Sequence, residues 1–214
     1  MTPRIKICGI TTLADARYCA GAGADYLGFI QYPPSPRYLD PAEARAIIDW
    51  LYGPEPVGVF VDEPAEAVNA AVETAGFALA QLHGEESPGI VADVAVPVIK
   101  AIRVRPGDTV ERLRARIAPY LGAAAYILLD TASDAAWGGT GERFDWALAA
   151  ALAPEVPLFL AGGVSADNVA EAVQTVRPFG LDLSSSLEVA PGHKDFDKIT
   201  AFFDAVSALQ PDAS

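Results

Sequence analysis

The sequence predicts an α/β fold, specifically a closed (β/α)8 TIM barrel, and three observations predict it. Short apolar runs rich in β-branched residues recur eight times along the 214 residues. Successive runs begin roughly 20 to 31 residues apart, the length of a strand, a loop, a helix and a second loop. The intervals carry amphipathic helix signals with caps. Strands alternating with helices imply a parallel sheet with its helices outside, and eight units close a barrel. Such barrels usually take about 250 residues, with about 200 near the lower limit, so short loops are expected. An open doubly wound sheet is the alternative that the pattern alone leaves. No linker, composition break or low-complexity tract interrupts the alternation, so residues 1–214 are expected to form one domain.

The predicted strands are residues 5–8, 26–30, 57–61, 78–82, 98–102, 126–129, 157–161 and 179–183. Helix signals fill the gaps. Pro41 follows Asp40 at a first helical position, and Ala44, Ile47, Ile48 and Leu51 then form one apolar stripe. Asp108 precedes Val110, Leu113 and Ile117. Ser165 precedes Val169, Val173 and Val176, and Asp195 precedes Ile199, Phe202, Phe203 and Val206. The arginines at 103, 105, 112, 114 and 116 are expected on a solvated helix face and its approach.

Composition narrows the function. With 51% hydrophobic and 20% charged residues the chain can bury a sizeable core. Asp and Glu number 28 against 15 Lys and Arg, a net charge of -13, which repels phosphate backbones and argues against a nucleic-acid partner. No run approaches the roughly 18 apolar residues of a membrane span, and Met1 leads into Thr2, Pro3 and Arg4, so a cytoplasmic protein without membrane contact is expected. Two cysteines, Cys8 and Cys19, make no disulfide framework. His83 and His193 belong to different units, so no metal site is expected. Glycine-rich dinucleotide and ATP loops are missing, so neither a dinucleotide nor ATP is suggested.

Barrels carry their chemistry on the loops after the strand C-termini. Cys8 ends the first strand, where a cysteine is either packing or a reactive thiol. Alternation turns Lys6 inward with Cys8 and sends Ile5 and Ile7 toward the helices. An inward lysine needs a carboxylate, and Asp182 on the eighth strand, adjacent to the first in a closed barrel, is the candidate. That cation is expected to favour the Cys8 thiolate. Asp130 ends the sixth strand, either capping a turn or, in apolar surroundings, serving as a neutral acid that can deliver a proton. Gly138, Gly139 and Gly141 follow in a loop that could form a lid or a plain turn. Gly162, Gly163 and the run Ser184, Ser185, Ser186 end strands seven and eight, where barrels frequently cup a phosphate with backbone N–H groups. Arg37, behind Pro33, Pro34 and Pro36, is either a surface charge or a fork for a planar carboxylate. His83 ends the fourth strand with a catalytic or a structural role.

Lys6–Ile7–Cys8–Gly9–Ile10–Thr11, Gly28–Phe29 with Ser35–Pro36–Arg37, and Gln81–Leu82–His83–Gly84 form one set of motifs. Leu129–Asp130 with Gly138–Gly139–Thr140–Gly141 and Phe144–Asp145–Trp146, Ala161–Gly162–Gly163 with Asn168–Val169, and Pro191–Gly192 with Lys194–Asp195 form another. In this order, over nearly the whole chain, they resemble phosphoribosylanthranilate isomerase of tryptophan biosynthesis. The resemblance implies a cofactor-free barrel that converts N-(5-phosphoribosyl)anthranilate to 1-(2-carboxyphenylamino)-1-deoxyribulose 5-phosphate by an Amadori rearrangement. It implies Cys8 as general base and Asp130 as general acid. Arg37 would hold the anthranilate carboxylate, and Gly162, Gly163 and Ser184 to Ser186 the phosphate. His83, Gly139 and Asp182 complete the expected substrate-binding set, in a molecule expected to be a monomer.

The chain departs from the family pattern at Gln31, where an aromatic is usual, and at Ser186, where glycine is usual. If that glycine serves a positive φ, Ser186 strains or reshapes the phosphate loop. Three rival activities share parts of this plan. A related isomerase of histidine synthesis generally wants two aspartates where the first strand here offers Cys8. A metal-dependent pentose phosphate epimerase needs converging histidines, and a sugar phosphate sensor would bind without turnover.

Overall fold

The computed structural model describes residues 2–131 and 144–209. Eight parallel strands hydrogen-bond in sequence order and close a barrel: β1 (Arg4–Cys8), β2 (Tyr26–Ile30), β3 (Glu55–Phe60), β4 (Leu79–Leu82), β5 (Val98–Val104), β6 (Tyr126–Thr131), β7 (Leu158–Leu160) and β8 (Gly180–Leu183). Pairing of β1 with β8, which sets Lys6 opposite Asp182, completes the ring and excludes the open sheet. Helices α1 (Leu13–Ala22), α2 (Pro41–Ile48), α3 (Ala65–Ala75), α4 (Pro88–Asp93), α5 (Val110–Ile117), α6 (Trp146–Leu152), α7 (Val169–Val176) and α8 (Phe196–Ser207) follow the strands in turn.

Period-two alternation sorts the side chains into two cores. Ile5, Ile7, Leu27, Leu82 and Leu160 pack outward against helix residues such as Val68, Leu113, Val169 and Phe202. Tyr26, Val57, Leu79, Ile99, Leu128 and Phe159 fill the barrel interior instead. Of the polar inward positions, Gln81, Asp130 and Asp182 line the open mouth, and Lys6 is fully buried on the closing seam.

Caps explain the helix starts. The Asp40 side chain accepts from the backbone of α2 while Glu43 returns a bond to the Asp40 N–H, a reciprocal box that Pro41 completes. Asp195 caps α8 by accepting from the Asp197 and Lys198 N–H groups, without a returning bond. Two starts differ from expectation. Thr109, not Asp108, caps α5, because the Asp108 carboxylate is engaged by the Arg105 N–H and the Arg116 guanidinium. Helix α7 begins at Val169 instead of near Ser165: Asn168 folds back, accepting from Ser165 N and donating to Gly163 O, so residues 162–168 remain a shaped loop.

The arginine group is largely on the surface, as with Arg114, which pairs with Glu155 at 2.7 Å. Arg116 is more buried and also donates to Arg103 O. A short antiparallel hairpin, β9 (Glu188–Ala190) and β10 (His193–Lys194), follows β8 and was not expected. Pro191–Gly192, with Gly192 at φ 81°, makes its turn. Among the described residues no helix is long and apolar enough to cross a membrane.

Candidate active site

One cavity at the C-terminal mouth of the barrel gathers nearly every residue singled out in the sequence: Cys8, Arg37, His83, Asp130, Gly162, Gly163, Asp182 and Ser184 to Ser186 all line it. Gly139 lies outside the described residues. Cys19 is in α1, buried in the outer core, its thiol pushed up to about 12 by burial, and it faces packing rather than the mouth.

Cys8 sits at the end of β1 directly beside Gly28 of β2. A Cβ on residue 28 would stand 2.8 Å from the Cys8 Sγ and 3.2 Å from the Lys6 Nζ, so glycine there makes room for both groups. Lys6 is fully buried and donates to Asp182 Oδ1 at 2.9 Å. Burial works against its charge, but the Asp182 carboxylate and Cys8 outweigh it and keep Lys6 cationic. Lys6 pulls the Cys8 thiol down, as expected of a cation beneath it, but the net shift runs the other way. Burial is the largest influence on Cys8 and pushes its thiol up, beyond what Lys6 and Lys194 pull down.

Asp130 closes β6 and is almost completely buried. Its Oδ1 accepts the Thr131 N–H at 2.8 Å, and Oδ2 lies 3.4 Å from His83 Nε2. Gly162, at φ 78°, allows the loop after β7 to cross this strand end, since a Cβ there would collide with the Thr131 hydroxyl and sit 3.0 Å from Asp130 Oδ1. Gly163 shares the left-handed conformation at φ 75°. After the neighbouring strand β8, Ser184 leads into a 3-10 turn, Ser185–Leu187. Ser186 lies within this turn and is not among the positive-φ residues, so it carries none of the strain considered above.

Arg37 presents one edge of its fork to Glu188, with Nη2 to Oε2 at 2.7 Å and Nε to Oε1 at 3.0 Å. It is therefore a held side chain and not a free surface charge. Lys194 joins the same cluster, donating to Glu188 Oε1 at 2.8 Å and to Cys8 O at 2.6 Å, and so ties the hairpin to the end of β1. Gln31 turns its amide to Leu39 O at 3.0 Å, anchoring the loop that carries Arg37.

Sequence reasoning assigned no role to Gln81, Glu188 or Lys194. Gln81 and His83, two apart at a strand end, share a face by alternation, and that signal was available. The pairing of Glu188 with Arg37, 151 positions apart, had none.

A thiol and a carboxyl group share the mouth of an eight-stranded barrel with a guanidinium and with glycine and serine loops. Fold and site together define an acid–base enzyme for a small anionic ligand. The family model described as N-(5'phosphoribosyl)anthranilate (PRA) isomerase matches residues 5–205. The N-(5'-phosphoribosyl)anthranilate isomerase of Geobacter sp. (strain M21) is 47% identical over 200 residues, covering 93% of this chain and 95% of its own. The crystal structure of phosphoribosyl anthranilate isomerase from Thermus thermophilus superposes with a TM-score of 0.86 at 40% identity, over 97% of this chain and 100% of its own. A further solved isomerase, in complex with reduced 1-(o-carboxyphenylamino)-1-deoxyribulose 5-phosphate, gives 0.84 at 36% identity with the same coverage. The chain belongs to the N-(5'-phosphoribosyl)anthranilate isomerase family.

Proposed function

We propose that this cavity carries out the isomerisation named by its family, in tryptophan biosynthesis, with Asp130 as general acid and Cys8 as general base and no cofactor. The observation that carries the assignment is the convergence of both groups on one mouth that Arg37, Gly162, Gly163 and Ser184 to Ser186 also line. Asp130, as the neutral acid, delivers its proton to the furanose ring oxygen while the C1′–O bond breaks and the anilino nitrogen lone pair forms the iminium. That cation acidifies the C2′ hydrogen. It also brings positive charge beside Cys8, whose thiol burial otherwise holds protonated. As the cation forms, Cys8 gives up its thiol proton to solvent; the thiolate then takes the C2′ proton and becomes the thiol again, and the resulting enaminol gains a proton at C1′ and loses its hydroxyl proton to give the ketone.

The remaining N–H groups of Arg37 hold the anthranilate carboxylate, and Gly162, Gly163 and the Ser184 to Ser186 turn hold the phosphate. Both ends being anchored centres the sugar between acid and base. His83 and Asp182 complete the binding set by closing the wall and floor of the mouth. Gly139 is assigned to the same set by its place in the motif. The ligand of the relative at 36% identity, reduced 1-(o-carboxyphenylamino)-1-deoxyribulose 5-phosphate, carries both a carboxyl group and a phosphate, which supports a site that binds the two. We place the enzyme in the cytoplasm, as a single domain acting as a monomer, since one barrel suffices to bring the proposed acid, base and binding loops to one mouth.

The test follows the decay of phosphoribosylanthranilate fluorescence on adding purified protein. Cys8→Ala and Asp130→Asn each lower kcat by about 10² to 10⁴-fold, the effect of losing a positioned acid or base. Arg37→Ala acts mainly on KM. Near-normal turnover in either of the first two variants removes that residue from its role, and binding without turnover by the unaltered protein would make it a sensor.

A further inference from the structure

Strand β4 ends with Gln81 and Leu82, and His83 follows. Leu82 packs outward, so Gln81 and His83 both point into the barrel, where both are buried. The Gln81 Nε2 lies 2.8 Å from His83 Nδ1. An amide nitrogen carries hydrogens and offers no lone pair, so it donates and Nδ1 accepts. The neutral ring therefore bears its own proton on Nε2. That nitrogen stands 3.4 Å from Asp130 Oδ2, and it is a buried polar atom without a hydrogen-bond partner among the described residues. A buried donor left open costs stability and calls for a functional account.

The backbone around His83 is held just as firmly from the other face of the sheet. Lys100 Nζ donates to Leu82 O at 3.2 Å and to Gly84 O at 2.7 Å, the carbonyls on either side of His83. Its ion pair with Glu86, at 2.8 Å, is buried, and Glu86 Oε1 in turn accepts from the Gly84 and Asp62 N–H groups. This pair performs no chemistry in the isomerisation; it clamps the turn that carries the imidazole.

We propose that Gln81 is a positioning residue for the isomerisation: it holds His83 in the Nε2–H tautomer, so that a neutral N–H donor waits for the carboxylate that Asp130 becomes. The inference rests on Asp130 being the acid. Before ring opening the neutral carboxyl needs little from the imidazole. As the proton passes from Asp130 to the ring oxygen, a buried carboxylate appears, and closing the 3.4 Å gap by a few tenths of an ångström gives it a charge-assisted hydrogen bond. The bond strengthens as the reaction proceeds, which is the kind of interaction that raises kcat without tightening substrate binding. His83 neither gains nor loses a proton in this step.

Nitrogen-15 NMR of full-length protein labelled at histidine tests the assignment, because the chain has only two histidines, His83 and the exposed His193. His83 is expected to show a protonated Nε2 and a bare Nδ1 at neutral pH. Gln81→Met, which cannot donate, is expected to mix the tautomers and lower kcat by about 10- to 100-fold, as loss of a group that orients a working ligand does, with KM changed by less than about twofold. Gln81→Glu accepts from Nδ1–H and is expected to invert the tautomer. A protonated Nδ1 in the unaltered protein, or an unchanged kcat in Gln81→Met, overturns the proposal. The acid assignment survives either result if Asp130→Asn is still inactive; an active Asp130→Asn overturns both. Should Gln81→Met fail to fold, the spectrum of the unaltered protein decides alone.

Discussion

Cys8 lies between two ammonium groups, Lys6 beneath it and Lys194 at its carbonyl, and its thiol is still held above the ordinary range. Lys6 divides its charge between Cys8 and the Asp182 carboxylate, which offsets much of its pull, while loss of water acts on the thiolate in full. Alkylation of Cys8 in the free protein by iodoacetamide is therefore expected to be slow at pH 7 and to accelerate about tenfold per pH unit up to and beyond the ordinary thiol value, since the thiolate is the reacting form. A rate that levels off below pH 8 contradicts the raised value. The position of Cys8 at the mouth was legible from strand alternation alone. The direction of its shift was not, because desolvation is set by what packs around the sulfur, including the glycine at residue 28.

The β9–β10 hairpin is a small element with long reach. Its first residue, Glu188, accepts from Arg37 and Lys194, so one carboxylate fixes both the guanidinium at the mouth and the ammonium at the end of β1. Burial raises the Glu188 carboxyl, but Arg37 and Lys194 outweigh it and hold it below the usual range. A depressed value in the folded state means that the native protein binds fewer protons than the unfolded chain. The stabilisation is thus complete above the ordinary glutamate value of 4.5 and is lost as pH falls through the folded-state value. Glu188→Gln is expected to cost about 3 to 5 kcal/mol near pH 7, the range for breaking a buried pair, with the gap to the unaltered protein narrowing below pH 4.5. A gap that stays constant in denaturant titrations from neutral to acid pH removes the ion pair as its source. Pro191–Gly192 signalled a turn here, but a two-residue strand is too short for any hydrophobic period to reveal.

Across the whole molecule the barrel divides into an apolar plug below and a polar mouth above. Phe159 forms the centre of the plug, with edge-on contacts to Tyr26, Tyr126 and Phe179 at ring distances of 5.7, 5.5 and 5.3 Å. A single-domain monomer is expected to unfold in guanidinium in one transition that does not move with protein concentration. Phe159→Ala is expected to lower that stability by about 3 to 5 kcal/mol while the folded fraction stays active. Two transitions, a concentration-dependent midpoint or a loss under about 1 kcal/mol would count against this picture. The sequence by itself determined the barrel, its eight units and the strand ends that carry Cys8, His83, Asp130 and Asp182, because hydrophobic period and strand spacing are local properties written along the chain. Strand alternation and ring closure also named the Lys6–Asp182 pair, 176 positions apart, which the structure bears out; only the tertiary structure decided that Arg37 is held by Glu188 and that the Gln81 amide meets His83 beside Asp130. Those contacts depend on closure of the ring, on register and on side-chain depth, and burial then sets which charges survive.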